Sequence, residues 1–469
     1  MLTVRLYLKR RCSGSQPGGR ATDRSGKKEG VEVMQPIRLV PVILLLLLLG
    51  EGVTLWAGEK PGTPDLEALI AQAMADNPEI GASAERWRMS VERARQAGAL
   101  EDPMMMFRIQ NALIRDPLDF GRDVMTAKVI GLSQKLPFFG KRDLMREEAG
   151  FEAEAERWVV EERRLELRRM VKETWYQIYL IDRSLETVAA TITLLDDLVR
   201  LAESMYGVGK AGQQEVFQAQ LERSKMEEMR IGLTQKRTSL VATLNTLAYR
   251  PPATAIPLIP KMNLPAVTLS ADELERLALA HRPALKSLKA RIDKSASGEK
   301  LAAKEFYPDF TVSLEYMQRD PAMDTPGDDM YGAQVSFNLP IQQDWRRAKV
   351  AEMQASRRMA VQELAAVQNQ IRLAVSDGLA QLDRSRKLIR LYDKGVLGQA
   401  GGAVASTLAA YRTDKAKFSE VLASRMTLFN AEREYHGAMA EHQMQLAVLE
   451  NVVGMPLPPA PESGPKSGQ

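Results

Sequence analysis

The spacing of apolar residues runs from helical to period two and back to helical along the chain, and then the whole sequence of changes repeats. From Asp65 to about Ala99 the spacing is helical, with a break at Asn77-Pro78, where proline removes a donor and clashes with the preceding turn. Period two follows: Met105, Phe107 and Ile109 oppose Arg108 and Gln110, then Lys128, Ile130, Leu132 and Leu136 alternate with Val129, Gly131, Ser133 and Lys135. Beyond Gly140 there is no proline as far as Met205. Val171, Trp175, Ile178, Ile181, Leu185, Val188, Ile192, Leu195 and Val199 recur at 3,4 spacing, a coiled-coil seam. A helix of that extent is about 100 Å long. Gly207-Val208-Gly209 reads as a turn, and a shorter helix returns to Leu247.

The second half has the same plan. Ser270 and Glu273 predict a capping box at a helix broken by Arg282-Pro283. Phe310, Val312, Leu314 and Tyr316 alternate with Thr311, Ser313 and Glu315. Tyr331, Ala333, Val335, Phe337 and Leu339 alternate with Gln334, Ser336 and Asn338. An uninterrupted helical stretch runs from Asp344 to Tyr411, Thr413-Asp414-Lys415 turns it, and a last helix reaches Val453. Pro78 and Pro283 lie 205 positions apart, as do Tyr206 and Tyr411, and Pro251 and Pro456. Ile181-Asp182-Arg183-Ser184 recurs as Leu382-Asp383-Arg384-Ser385 at 201. Ordered matches at near-constant spacing indicate a domain duplication.

These patterns predict a mainly α chain with a small β part, divided as follows. Residues 58–250 form repeat one, with strands at about 103–114 and 124–137 and a long helical hairpin over 140–249. Residues 251–269 are a Pro-rich linker. Residues 270–455 form repeat two, with strands at about 309–319 and 331–340 and a hairpin over 343–454. Residues 456–469 read as a disordered tail. The alternating strands fit either soluble half-buried hairpins or a transmembrane barrel, apolar outside and polar inside. Four strands cannot close a useful barrel, so the barrel reading requires several copies of the chain.

Leu39–Leu49 is an aliphatic run preceded by Arg38 and followed by Ala57, the layout of a secretory signal peptide and too short for a comfortable membrane helix. Met34 lies just before it, so residues 1–33 read as a misassigned start and the mature chain is expected to begin near residue 58. Net charge is only +4 over 469 residues, with much of the excess in that leader, which excludes a strong case for nucleic acid. With His281, His436, His442 and Cys12 as the whole complement of those residues, no zinc site, disulfide framework or thiol nucleophile can be assembled. No P-loop, GxSxG or HExxH motif is present, so neither an enzyme nor a cofactor is expected.

The duplicated plan resembles the TolC-type outer-membrane efflux family over about Pro64–Met455. The tips Tyr206-Gly207-Val208-Gly209 and Tyr411-Arg412-Thr413-Asp414 carry the resemblance, with Phe418-Ser419-Glu420-Val421-Leu422-Ala423 and the closing Leu449-Glu450-Asn451-Val452-Val453-Gly454. The resemblance implies a homotrimer in which each subunit gives four strands to a twelve-stranded barrel in the outer membrane. The helices would continue as a periplasmic tunnel. Its tips (Gly207, Val208, Gly209, Thr413, Asp414 and Lys415) would meet a periplasmic adaptor protein that couples the passive duct to an inner-membrane pump of the resistance-nodulation-division type. Glu420 falls where relatives narrow the tunnel entrance with an acid, and Ala423 where they can carry a second. By position alone Glu420 reads first as an exposed helix acid; the resemblance brings the entrance reading level with it. Asp102-Pro103-Met104-Met105-Met106 and Leu132–Lys141 resemble the heavy-metal branch, which implies a metal-cation pump; as side chains, methionines on a strand are more often lipid or packing surface. The competing function is a periplasmic structural coiled-coil protein without a pore.

Overall fold

The computed structural model describes residues 65–262 and 270–457. The leader, part of the linker and most of the tail lie outside the described residues.

Two short helices, α1 (Leu66–Asp76) and α2 (Pro78–Ala97), open the described chain. Asn77 separates them: its side-chain oxygen accepts the Glu79 N–H at 2.9 Å, and Pro78 sits in the first turn, where its missing donor costs nothing. Strands β1 (Met104–Gln110) and β2 (Ala127–Leu136) follow, then α3 (Lys141–Gly207) and α4 (Gln213–Leu247). The second half repeats the order with α5 (Ala271–His281), α6 (Pro283–Lys304), β3 (Phe310–Gln318), β4 (Met330–Phe337), α7 (Gln343–Leu391), α8 (Leu397–Arg412) and α9 (Phe418–Val453). The capping box at Ser270 is present, with Ser270 Oγ accepting from the Glu273 N–H and the Glu273 carboxylate accepting the Ser270 N–H at 2.8 Å.

At 67 residues, α3 is about 100 Å long. Its counterpart is not one regular helix. Tyr392–Val396 form a single π-helical turn between α7 and α8, beside Gly395 and Gly398, whose lack of side chains lowers the cost of a widened turn. No described helix is long and apolar enough to cross a membrane.

The strands are shorter than the alternation predicts. β1 stops at Gln110 because Asn111 turns to φ +56°. β4 stops at Phe337, short of Pro340, which has no N–H to give a ladder. The four strands form one antiparallel sheet in the order β1-β2-β3-β4, so the two repeats meet at the β2–β3 pair.

The helices bury three apolar clusters rather than one. One surrounds Val171, Ile178, Leu244 and Ala440; one lies toward the tips around Leu195, Val216, Phe418 and Phe429; one joins α5, α7 and α9 around Leu274, Val375 and Leu449. The matched break residues also do matched work. Asn77 Nδ2 donates to the Leu247 carbonyl at the end of α4, and Arg282 donates to the Asn451 carbonyl near the end of α9. Each repeat thereby ties its first helix break to its own last turn, which satisfies carbonyls that a helix end leaves orphaned.

Candidate functional site

The sheet is built inside out. Register places Met105, Leu132, Leu314 and Ala333 in one row, and Phe107, Ile130, Tyr316 and Tyr331 in the next, all on one face. Phe107, Ile130, Leu132, Leu314, Tyr331 and Val335 on that face are exposed. On the other face β2 carries Ala127, Val129, Gly131 and Ser133, small side chains of which Ala127 and Val129 are buried, and then the exposed Lys135. Arg108 reaches across β2 to Glu315 at 2.9 Å. Gly131 lies beneath this bridge, where any Cβ would sit 3.2 Å from Met106 Cε and 3.3 Å from Glu315 Cγ. An ordinary soluble hairpin buries its apolar face; this sheet leaves its apolar face exposed along all four strands. Met105 belongs to the apolar face, and Met104 and Met106 to the polar one.

Lys128 falls in the apolar rows beside Ile109, the one misplaced charge in the pattern. The fold neutralises it. Its ammonium lies 2.8 Å from Asp320 and 4.9 Å from the Phe120 ring, both in the loops beyond the strand ends.

Where the sheet meets the helices, a buried lysine acts as a hub that the sequence pattern did not reveal. The Lys141 side chain is 1% exposed, and its Nζ lies 2.9 Å from Asp309 Oδ1 and 3.4 Å from the Tyr307 carbonyl. The same Asp309 oxygen accepts the Phe138 N–H at 2.8 Å, and the Phe138 and Tyr307 rings stack at 4.6 Å. Burial disfavours the Asp309 carboxylate, but Lys141 and the Phe138 N–H outweigh it and hold the group below its ordinary range.

The two helix tips have one backbone design. In the first, Lys210 N–H donates to the Met205 carbonyl at 2.9 Å and Gly209 N–H to Tyr206 at 2.9 Å. In the second, Lys415 N–H donates to Ala410 at 2.8 Å and Asp414 N–H to Tyr411 at 3.0 Å. Both are Schellman turns, and each needs a left-handed residue at the same place. Gly209 supplies it at φ +74°, Asp414 at φ +61°. Gly207 is the last residue of α3, Val208 and Thr413 are the C-caps, and Val208, Thr413 and Lys415 are exposed.

Glu420 lies in the first turn of α9, exposed and without an ion-pair partner among the described residues. It shares an exposed stripe of α9 with Ala423, Thr427 and Asn430, opposite the buried Phe418, Val421 and Phe429. Ala423 leaves this stripe with a single acid in its first two turns.

The tips are also tied to each other, which the sequence did not announce. The Tyr411 hydroxyl donates to Glu215 Oε2 at 2.8 Å, joining the end of α8 to the first turn of α4. Its ring meets Phe418 edge-on at 5.6 Å. Burial and then the Glu215 carboxylate push the phenol well above its ordinary value, so it remains a donor. Deeper in, the buried Arg425 on α9 donates to Thr191 Oγ1 of α3 at 3.0 Å. The signal for the tyrosine was its place at the end of a long apolar seam; its partner Glu215 gave none.

Residues 274–455 match the model of the outer membrane efflux protein family, which covers most of the second repeat. No curated protein sequence matches the chain. Among solved structures, the outer membrane protein VceC of Vibrio cholerae superposes with a TM-score of 0.71 at 18% identity, over 84% of this chain and 97% of that one. CusC, described for folding and transmembrane channel formation, gives 0.71 at 13% identity over 83% and 92%. The open-state MtrE outer membrane channel of Neisseria gonorrhoeae gives 0.62 at 16% identity over 84% and 90%. The chain as a whole therefore has the fold of these channels, and its second repeat carries the efflux family's sequence pattern.

Proposed function

We propose that the chain is one subunit of a homotrimeric, non-enzymatic exit duct in the outer membrane, exporting small molecules or metal cations. The observation that carries this reading is the sheet's exposed apolar face, together with two outer strands, β1 and β4, that have no strand partner beyond them among the described residues. Such edges are templates for pairing with another chain, and three copies pairing β4 to β1 would close a ring with apolar residues toward lipid. The long helices then extend into the periplasm, and the tips at Gly207–Gly209 and Thr413–Lys415 are the surface for a periplasmic adaptor. An inner-membrane pump, in this reading of the resistance-nodulation-division type, supplies the energy. Three Glu420 side chains would ring the entrance and favour cations. A periplasmic coiled-coil protein without a pore would have no use for the lipid-type face of the sheet.

Cell fractionation tests location: the mature protein is expected in the outer membrane, and recovery only in soluble periplasm would sink the reading. Conductance in planar bilayers tests the entrance. Glu420→Gln is expected to lower cation-over-anion selectivity several-fold, and unchanged selectivity would remove Glu420 from the gate.

A further inference from the structure

Between Arg157 and Lys172 on α3, four of the six cations have a carboxylate. Arg163 pairs with Glu79 and Glu166, Arg164 with Glu161, Arg169 with Glu173 and Lys172 with Glu450. Three cations around one cleft break the pattern. Arg157 and Arg168 on α3 and Lys286 on α6 form no ion pair with a described residue. They line a cavity of about 470 Å³ between α1, α3, the end of α5, the start of α6 and the residue that caps α9. Glu161, the acid in its wall, is already taken by Arg164 at 2.8 Å.

Trp158 holds two of these cations in place. Lys286 Nζ lies 4.4 Å from its ring centroid and the Arg157 guanidinium 5.2 Å. A cation–π contact orients a cation without neutralising it, so both charges stay available and their side-chain entropy is already partly spent. Positions 157, 161, 164 and 168 follow helical spacing down one face of α3. From Arg157 to Arg168 the helix rises about 16 Å, the reach of roughly five residues of extended polypeptide. A single phosphate would engage one end of such a row; a chain with repeated carboxylates would engage all of it.

We propose that this cleft is a binding site for an acidic peptide segment, its carboxylates received by Arg157, Lys286 and Arg168. If the sheet lies in the membrane, as under Proposed function, Arg157 stands about 24 Å of helix beyond Lys141 at the sheet's base, out of reach of lipid headgroups. The ligand is then a periplasmic or cell-wall peptide rather than a lipid.

The test uses the purified mature chain in detergent, in its assembled state, with a fluorescein-labelled hexaglutamate peptide followed by anisotropy. Binding is expected to weaken at least tenfold in the Arg168→Gln/Lys286→Gln double variant, to fall steeply between low and physiological salt, and to be absent for a hexaglutamine peptide. Unchanged circular dichroism shows that the variant is folded. Equal binding by the double variant overturns the proposal, as does equal binding of hexaglutamine. Displacement of the peptide by inorganic phosphate or by phosphatidylglycerol vesicles at matched charge also overturns it, by assigning the site to phosphate. Loss of the oligomer in the double variant overturns it too, because the cations would then be pairing with a second copy. Bilayer conductance separates the two readings: a chain that conducts but does not bind the peptide defeats the cleft alone, and one that binds but does not conduct defeats the duct alone.

Discussion

The two repeats place the same residues at matched positions and use them differently. Asp182 and Asp383 belong to the same recurring Asp-Arg-Ser segment. Asp182 is 0% exposed, accepting from Arg237 at 2.6 Å and from the Ile259 N–H at 3.0 Å, while the neighbouring Arg183 donates to the Ile259 carbonyl. Together they strap the linker, with Ile256 and Ile259 buried beneath it, against α3 and α4. Asp383 lies near the surface, paired with Arg386 and Lys387 on its own helix. The tips divide in the same way. Tyr206 is half exposed, whereas Tyr411 is buried and bonded to Glu215. What the repeats share is backbone: breaks, Schellman turns and their left-handed residues. What differs is decided by the neighbour, since the described part of the linker lies against repeat one and Tyr411 of the second tip reaches Glu215 across on α4.

Substitutions at matched pairs sharpen this contrast. The largest difference is expected at the aspartates. Asp182→Ala removes the buried acceptor that Arg237 and the Ile259 N–H share and frees the strap, a loss of about 3 kcal/mol. Asp383→Ala should leave the thermal midpoint where it is. Equal midpoints for the two variants would show that the strap contributes nothing to stability.

Next come the tyrosines. Tyr411→Phe keeps the ring but deletes a buried hydrogen bond to a carboxylate, a loss of about 1.5 kcal/mol. With the tie between the tips gone, single-channel conductance in bilayers should rise, while Tyr206→Phe leaves it unchanged. A conductance identical in both variants would mean that the Tyr411–Glu215 bond does not hold the entrance.

The smallest effect belongs to the turn residues and has opposite signs in the two repeats. Asp414→Gly relieves a left-handed conformation that a side chain disfavours, and should stabilise by about 1 kcal/mol. Gly209→Asp should destabilise by a similar amount. Chemical denaturation of both variants, read against the wild type, checks the pair; two shifts of the same sign would contradict the shared turn geometry.

Local features could be read from the residues themselves. Proline at 78 and 283 dictated helix breaks, Ser270 with Glu273 dictated a cap, and the alternation from Phe310 to Tyr316 dictated a strand with one apolar face. Each depends on contacts within a few residues. Even Lys128 is legible as a charge on the apolar face; the partner that tolerates it, Asp320, is not. The strand ends are not legible, because the pattern carries no sign of the turn at Asn111. Nor is the π-helical turn at Tyr392–Val396, because one extra residue in a turn barely disturbs a 3,4 spacing.

By itself, the sequence determined the duplicated order of elements, the length of α3, the two-faced strands and the position of both tips. These are periodicities and breaks, set by backbone geometry within single elements. Only the tertiary structure decided that the apolar face of the sheet is bare, that Lys141 with Asp309 fixes sheet to helices, that Tyr411 with Glu215 joins the tips, and that Arg157, Arg168 and Lys286 line one cleft, the first and last of them against Trp158. Those are pairings between groups far apart in the chain. No local pattern encodes them, because a carboxylate or a hydroxyl is chosen as partner by what packs beside it.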